Sequence, residues 1–291
     1  MARLEARLPD NVPGDLYVDR TCIDCGTCRH VAPAVFAEGS DHSYVYAQPG
    51  DDGTLLRARM AMVACPTSSI GSVSRADLRA AVAAFPEEVL PGVDYCGFAS
   101  PDSYGASAWL VRRPEGNVLV DSPRAAGPLL RRVEALGGVR FMFLTHRDDV
   151  ADHTIWARHF GAERILHVAD RTAATADVER IIAGDAPVAL APDLTIVPLP
   201  GHTRGSMGLL YRDDILFSGD HLWAAAPGSP ALAAGRHVCW YDWPTQIRSM
   251  ERLLGYRFGH VLPGHGAPWH GGAETKDVVL AALIARMRSA A

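Results

Sequence analysis

In roughly the last two-thirds of the chain, short apolar runs at 107–111, 118–121, 141–145, 164–168, 194–199, 208–211, 215–218 and 259–262 are closed by turn residues. Between them, stretches at 126–136, 151–160, 245–254 and 275–288 carry apolar residues at helical spacing. The first pattern predicts buried strands and the second predicts helices. Their alternation implies a layered α/β architecture. The N-terminal part reads differently. Residues 20–73 hold short strand-like pieces such as 43–47 and the turn Gly50-Asp51-Asp52-Gly53, with too few apolar residues for a large core. A helix predicted over 75–85 leads into a stretch with Pro86, Pro91 and Gly92 that marks a junction. The expected organisation is a small domain at 1–78, a linker at 79–92 and a large domain at 93–291. No internal repeat or low-complexity tract is evident.

With 291 residues and 48% hydrophobic content, the chain can bury one large core and one small one. Lys and Arg total 28 against 33 acids, a formal charge of −5, which argues against a nucleic-acid partner. The first seven residues alternate charged and short apolar steps, so no secretory signal is expected. No apolar run approaches the roughly 20 residues that cross a bilayer, so no membrane partner is expected either. Of the six cysteines, four fall into one pattern and leave Cys96 and Cys239 over. That usage suits a reducing compartment and points to the cytoplasm.

The four are Cys22, Cys25 and Cys28, each two residues from the next, and the remote Cys65-Pro66. Three thiolates on one loop with a distant fourth suit an iron–sulfur cube, whereas zinc sites pair separate C-x-x-C knuckles. This stretch resembles a bacterial-type ferredoxin. In two-cluster relatives a further Cys-Pro follows the third cysteine, and here that place holds Ala32-Pro33. The resemblance therefore implies a single [4Fe-4S] cluster on Cys22, Cys25, Cys28 and Cys65. The cluster could also serve only to staple a domain that lacks a core.

A second constellation follows one grammar: a strand, a turn, then a ligand-type residue. Thr145-His146 ends the run 141–144, His202 follows Pro200-Gly201, Asp220 follows Ser218-Gly219, and His265 follows Pro263-Gly264. Ligands on such loops can converge although they are distant in sequence. From about Asp94 to the C-terminus these residues resemble the metallo-β-lactamase superfamily, through Gly201-His202-Thr203-Arg204-Gly205-Ser206, Leu216-Phe217-Ser218-Gly219-Asp220 and Leu262-Pro263-Gly264-His265-Gly266. The resemblance implies an α/β and α+β chain: a small ferredoxin-like domain followed by a four-layer αβ/βα sandwich. It places His146 and His202 on a first metal, Asp152, His153 and His265 on a second, and Asp220 as the bridge. Asp152 and Asp220 are then the catalytic carboxylates.

The first motif departs from the family's His-x-His-x-Asp-His. The chain runs from His146 to His153 with two extra residues and no second histidine. Asp148 or Asp149 can fill that place with oxygen, which suits zinc, iron and manganese alike. In the alternative reading Asp149 caps a helix from Val150 and Asp148 is solvated. Trp240, Tyr241 and Trp243 read as a hydrophobic cover, His260 as a core or strand-end residue, and Cys96 and Cys239 as small buried groups.

The first functional expectation is a metallo-hydrolase, with metal-activated water attacking an ester, thioester or similar bond of a small-molecule substrate. It uses one or two divalent ions, zinc, iron or manganese, beside a fused cluster that carries electrons or senses. Hydrolysis needs no electrons, so the second expectation is an iron-dependent oxidoreductase fed by the ferredoxin module and a redox partner protein. A non-catalytic iron–sulfur sensor is the third.

Overall fold

The structure is a computed structural model describing residues 2–289. The chain forms two compact units, Met1–Phe141 with Ala151–Ala162, and Met142–Val150 with Glu163–Ala291.

Unit 1 begins with β1 (Leu16–Val18), α1 (Thr27–Val31), β2 (Phe36–Glu38), β3 (Ser43–Val45), α2 (Asp52–Ala64) and β4 (Ile70–Ser72). β1 pairs antiparallel with β4, and β2 with β3. The turn expected at 50–53 is the start of α2, whose capping box joins Asp51 and Thr54. The apolar pattern hid this helix because its buried residues, Ala58, Met60, Ala61, Val63 and Ala64, do not form one stripe. Its Leu, Arg, Met and Ala content favours a helix all the same.

Residues 79–92, expected as a linker, hold α3 (Arg79–Ala83) and β5 (Glu87–Leu90). β5 pairs with β6 (Val93–Tyr95), and the antiparallel meander continues through β7 (Trp109–Val111) to β8 (Val118–Val120). An edge strand needs no continuous apolar run, and β5 is half-exposed along its length. Phe85 anchors the segment by packing edge-on against Tyr95 and Phe98, ring centroids 5.9 and 5.8 Å away. The helices α4 (Gly127–Ala135) and α5 (His153–Phe160) complete the unit. Trp156 of α5 is fully buried and donates its indole N–H to Pro123 O at 2.8 Å.

β9 (Phe141–Phe143) leads into unit 2, where Leu144 N donates to Ile165 O of β10 (Glu163–His167). β10 pairs in parallel with β11 (Arg180–Ile182). Next come β12 (Val188–Ala191), β13 (Leu194–Pro198), β14 (Met207–Tyr211), β15 (Ile215–Gly219), the small hairpin β16 (Trp223–Ala224) and β17 (Leu232–Ala233), α6 (Trp243–Leu253), β18 (His260–Pro263) and α7 (Ala273–Ser289). A five-stranded sheet has the order β12-β13-β14-β15-β18, antiparallel except for the parallel pair β15–β18. Its strand residues Val197, Leu210, Leu216 and Val261 share one core with residues of α6 and α7 such as Met250, Leu253, Leu280 and Ile284. α6 starts two residues ahead of the sequence expectation because Asp242 accepts Thr245 N at 2.8 Å and Pro244 fits the first turn. Among the described residues no helix is long and apolar enough to cross a membrane.

The parallel strand β18 carries His265 at its end and is held from outside the sheet by Trp269. Val261 and Trp269 exchange backbone hydrogen bonds of 2.8 and 2.9 Å, and the fully buried indole donates to Pro230 O. Trp269→Ala is expected to cost about 3–5 kcal/mol of stability by cavity formation. Denaturant unfolding of the pure protein measures it.

Candidate metal centre and cluster site

In unit 2 the loop after β9, the turn after β13 and the end of β15 bring four sequence-predicted side chains to one point. His146 Nε2 lies 3.9 Å from Asp148 Oδ2 and 3.7 Å from Asp220 Oδ2. His202 Nε2 lies 3.6 and 3.7 Å from the same two oxygens. Asp149 joins this centre with Oδ2 4.0 Å from His146 Nε2, and His265 Nδ1 stands 2.9 Å from both oxygens of Asp220.

These groups fit a cation and little else. His202 Nδ1 donates to Val238 O at 2.6 Å, which turns Nε2 into the site. His146 Nδ1 is 2.9 Å from Thr145 Oγ1, and burial pulls this imidazole's pKa down to about 4, keeping it neutral against the pull of Asp220. Both Nε2 atoms are buried without a hydrogen-bond partner. They face carboxylate oxygens, which can only accept. Burial alone would raise the Asp220 carboxyl, but His265, His146 and His202 hold it well below the ordinary carboxylate range. His202, and then His146, hold Asp148 low as well. The five imidazole–carboxylate pairs stand 3.6–4.0 Å apart, and the donors fall in two sets that share His146: one with Asp148 and His202, the other with Asp149 and Asp220. Those separations are a few tenths of an ångström wider than the roughly 3.4 Å between ligands bound tetrahedrally at about 2.1 Å.

Two glycines make the convergence possible. Gly219 adopts φ +53°, and a Cβ there would lie 2.6 Å from Thr145 Oγ1. A Cβ on Gly264 would lie 2.7 Å from Asp220 Oδ1 and 2.8 Å from Asp149 Oδ2.

Asp149 does not cap a helix at Val150. It is 1% exposed and turned into the centre, and the helix begins at His153. Asp152 and His153 stand in neither donor group; in unit 1, Asp152 Oδ2 accepts Ala125 N at 2.7 Å and His153 is buried as the first residue of α5. Of the expected cover, Trp243 is buried in the core with α7, whereas Trp240 and Tyr241 are 61% and 50% exposed; both their backbone N–H groups bind His202 O, and the Trp240 ring stands 6.2 Å from that of His202. His260 is half-exposed, its Nδ1 2.9 Å from His270 Nδ1. Cys96 is buried, whereas Cys239 is half-buried with its thiol donating to Gly201 O.

Asp170 is the residue that the sequence reading missed. Fully buried after β10, it accepts Gly205 N at 2.7 Å, Thr203 Oγ1 at 2.5 Å and Arg147 N at 3.1 Å, tying the His146 loop to the His202 loop. Its signal was present: an apolar strand run followed by a carboxylate, as at Asp220. His221 is also fully buried, and neither of its ring nitrogens has a hydrogen-bond partner.

In unit 1, Cys22, Cys25, Cys28 and Cys65 line one pocket. Groups of donors within 4.8 Å of one another are two among the described residues, and neither contains a cysteine. Backbone amides already point at the sulfurs: Ser43 N donates to Cys22 Sγ at 3.4 Å and Ser69 N to Cys65 Sγ at 3.3 Å. Burial pushes Cys28 up to about 12, so its thiolate requires the positive charge that iron supplies.

Comparison with known proteins agrees with both halves. Residues 18–72 match the 4Fe-4S single cluster domain of Ferredoxin I. A hydroxyacylglutathione hydrolase of Acidiphilium cryptum (strain JF-5) is 33% identical over 131 residues, 42% of this chain and 51% of that protein. Another from Anaeromyxobacter dehalogenans (strain 2CP-C) is 40% identical over 100 residues, 33% of this chain and 38% of that protein. The chain thus spans about half or less of the length of these curated relatives. The crystal structure of DIM-1 metallo-beta-lactamase superposes with a TM-score of 0.53 at 14% identity, covering 70% of this chain and 97% of the other. The fold expected from the motifs is borne out: the chain combines a single-cluster 4Fe-4S ferredoxin-type domain at residues 18–72 with a domain of the metallo-β-lactamase fold.

Proposed function

We propose that this protein is a metal-dependent hydrolase acting on an acyl thioester or related ester of a small molecule, with the cluster domain as a fused stabilising or sensing module. The observation that carries this reading is the pair of buried, unpartnered imidazole nitrogens facing the carboxylates of Asp148 and Asp220. The partial sequence likeness to two hydroxyacylglutathione hydrolases supports the thioester.

His146, His202, Asp148 and Asp220 hold the ion in this reading, with Asp149 and His265 completing or extending the set. A bound divalent ion lowers the pKa of water toward neutrality and polarises the carbonyl under attack. The chain's own residues prepare that chemistry. Val238 O fixes the His202 tautomer, and the contact of His265 Nδ1 with both Asp220 oxygens keeps that carboxylate oriented. Asp148, with its side chain 45% exposed, reaches from the buried centre to solvent.

The oxygen-rich donor set favours a second reading. Two histidines with carboxylates, and Asp148 where a histidine is usual, also suit iron, which makes an oxidoreductase fed by the cluster through a redox partner the alternative.

Anaerobic purification, metal analysis and assay on a panel of acyl thioesters decide between them. Hydrolysis is expected, with about four irons per chain and zinc or another divalent ion besides. A fifth or sixth iron without zinc, together with no turnover of any thioester, would favour the redox reading. Asp220→Ala is expected to lose the non-cluster metal and reduce kcat/KM by at least about 1,000-fold, with cluster absorbance unchanged. Asp152→Asn and His153→Ala test the two remaining expected ligands: wild-type metal content in both variants removes them from the set.

Asp170→Ala leaves three donors without their acceptor and frees two ligand loops. It should weaken metal affinity about 10- to 100-fold while the cluster stays loaded. Metal titration against a competing chelator measures this, and unchanged affinity would show that Asp170 only stabilises the fold.

A further inference from the structure

We propose that the cluster site has a wall outside the ferredoxin-type domain, formed by the β6–β7 connection at residues 98–106, which seals the Cys25 corner of the cluster and is held in place by it. The matched domain ends at residue 72. The connection nevertheless reaches the cysteine loop through several independent contacts within unit 1.

Gly105 makes the closest approach. A Cβ there would lie 2.8 Å from Cys25 Sγ, 2.7 Å from Cys25 Cβ and 3.1 Å from Pro66 Cγ, so the backbone lies directly against the thiol. The position also requires φ +86°, which glycine adopts without strain. Thr27, whose hydroxyl is 3.3 Å from Cys25 Sγ, donates that hydroxyl to Gly105 O at 3.0 Å. Tyr104 donates its phenol to Ile23 O inside the cysteine loop. Ala99 N donates to Ala64 O, one residue before Cys65, and Arg124 donates to Val63 O while its own N–H binds Phe98 O. Two of the four cysteine positions, 25 and 65, are therefore gripped from this side.

The connection is shaped for the task. Ser103, Tyr104, Gly105 and Ala106 each bond back to Ser100, Pro101 or Ser103, making a tight self-bonded turn. A hydrogen-bonded backbone laid over a sulfur excludes water from it, and solvent access and hydrogen bonding around the sulfurs tune cluster stability and potential. Since the turn is continuous with β6 and β7, an empty cluster site removes one side of its packing.

The test uses the full chain, reconstituted anaerobically, and reads the cluster rather than hydrolysis, so it stands or falls separately from the proposed activity. Tyr104→Phe removes the phenol contact to Ile23 O and Thr27→Val removes the hydroxyl contacts to Gly105 O and Cys25 Sγ, neither by altering a glycine turn. Both are expected to load four irons, to lose them to a ferrous chelator about tenfold faster than wild type, and to show a shifted reduction potential. Gly105→Ala is expected to load poorly, and Gly161→Ala, at φ +65° with open space where its Cβ would stand, serves as the control for backbone strain alone. Hydrogen exchange at Ala99, Tyr104 and Gly105 is expected to quicken when the cluster is stripped from wild-type protein. Wild-type iron-loss rates and potentials in both hydroxyl variants, with exchange at 98–106 indifferent to cluster loading, would overturn the proposal.

Discussion

The hydrogen bond from His202 Nδ1 to the Val238 carbonyl constrains everything around it in unit 2. A ring that donates from one nitrogen can only accept with the other while neutral, and here the accepting nitrogen meets carboxylate oxygens that also only accept. Burial keeps the neighbouring His146 neutral, so protonation does not relieve the conflict there. Lone pairs opposed in this way at buried nitrogens are costly unless a cation intervenes. The protein thus stores the demand for a metal in its tautomers.

Holding that arrangement is a matter of short connections. Ligands leave the sheets at the ends of β9, β13, β15 and β18, and a backbone without side chains at 219 and 264 lets the loops close on one another. Asp170 then braces two of these loops from beneath, replacing flexible loop ends with three hydrogen bonds to one buried carboxylate. Precision at the centre comes from the strands and from this brace, since the loops themselves carry few apolar contacts.

Much of this was legible because strand-turn-ligand is a local pattern: His146, His202, Asp220 and His265 can be found by reading a few residues at a time. The cysteine spacing is local as well. What stayed hidden depends on distance in sequence. Asp170 looks like any carboxylate after a strand until Thr203 and Gly205 arrive beside it. Asp149 could equally have capped a helix, and only the start of α5 at His153 assigns it to the centre. β5 was hidden for a different reason: an edge strand has no apolar run to announce it, and Pro86 and Pro91 suggested a linker where Phe85 in fact anchors a sheet. α2 escaped because it is buried on several sides, which erases the stripe that betrays a surface helix.

The cysteine module poses the inverse problem to the histidine centre. Its strands are three residues long and α1 has five, so apolar burial alone offers little to hold it. Burial also raises the thiol pKa of Cys22, Cys25 and Cys28, which leaves them protonated and unpaired in charge until iron arrives. The thiolates that bind iron are therefore stable in their buried positions only when iron compensates them. Under the proposed hydrolysis the electrons such a cluster can carry take no part in the reaction, which is why a stabilising or sensing role is the one proposed for it.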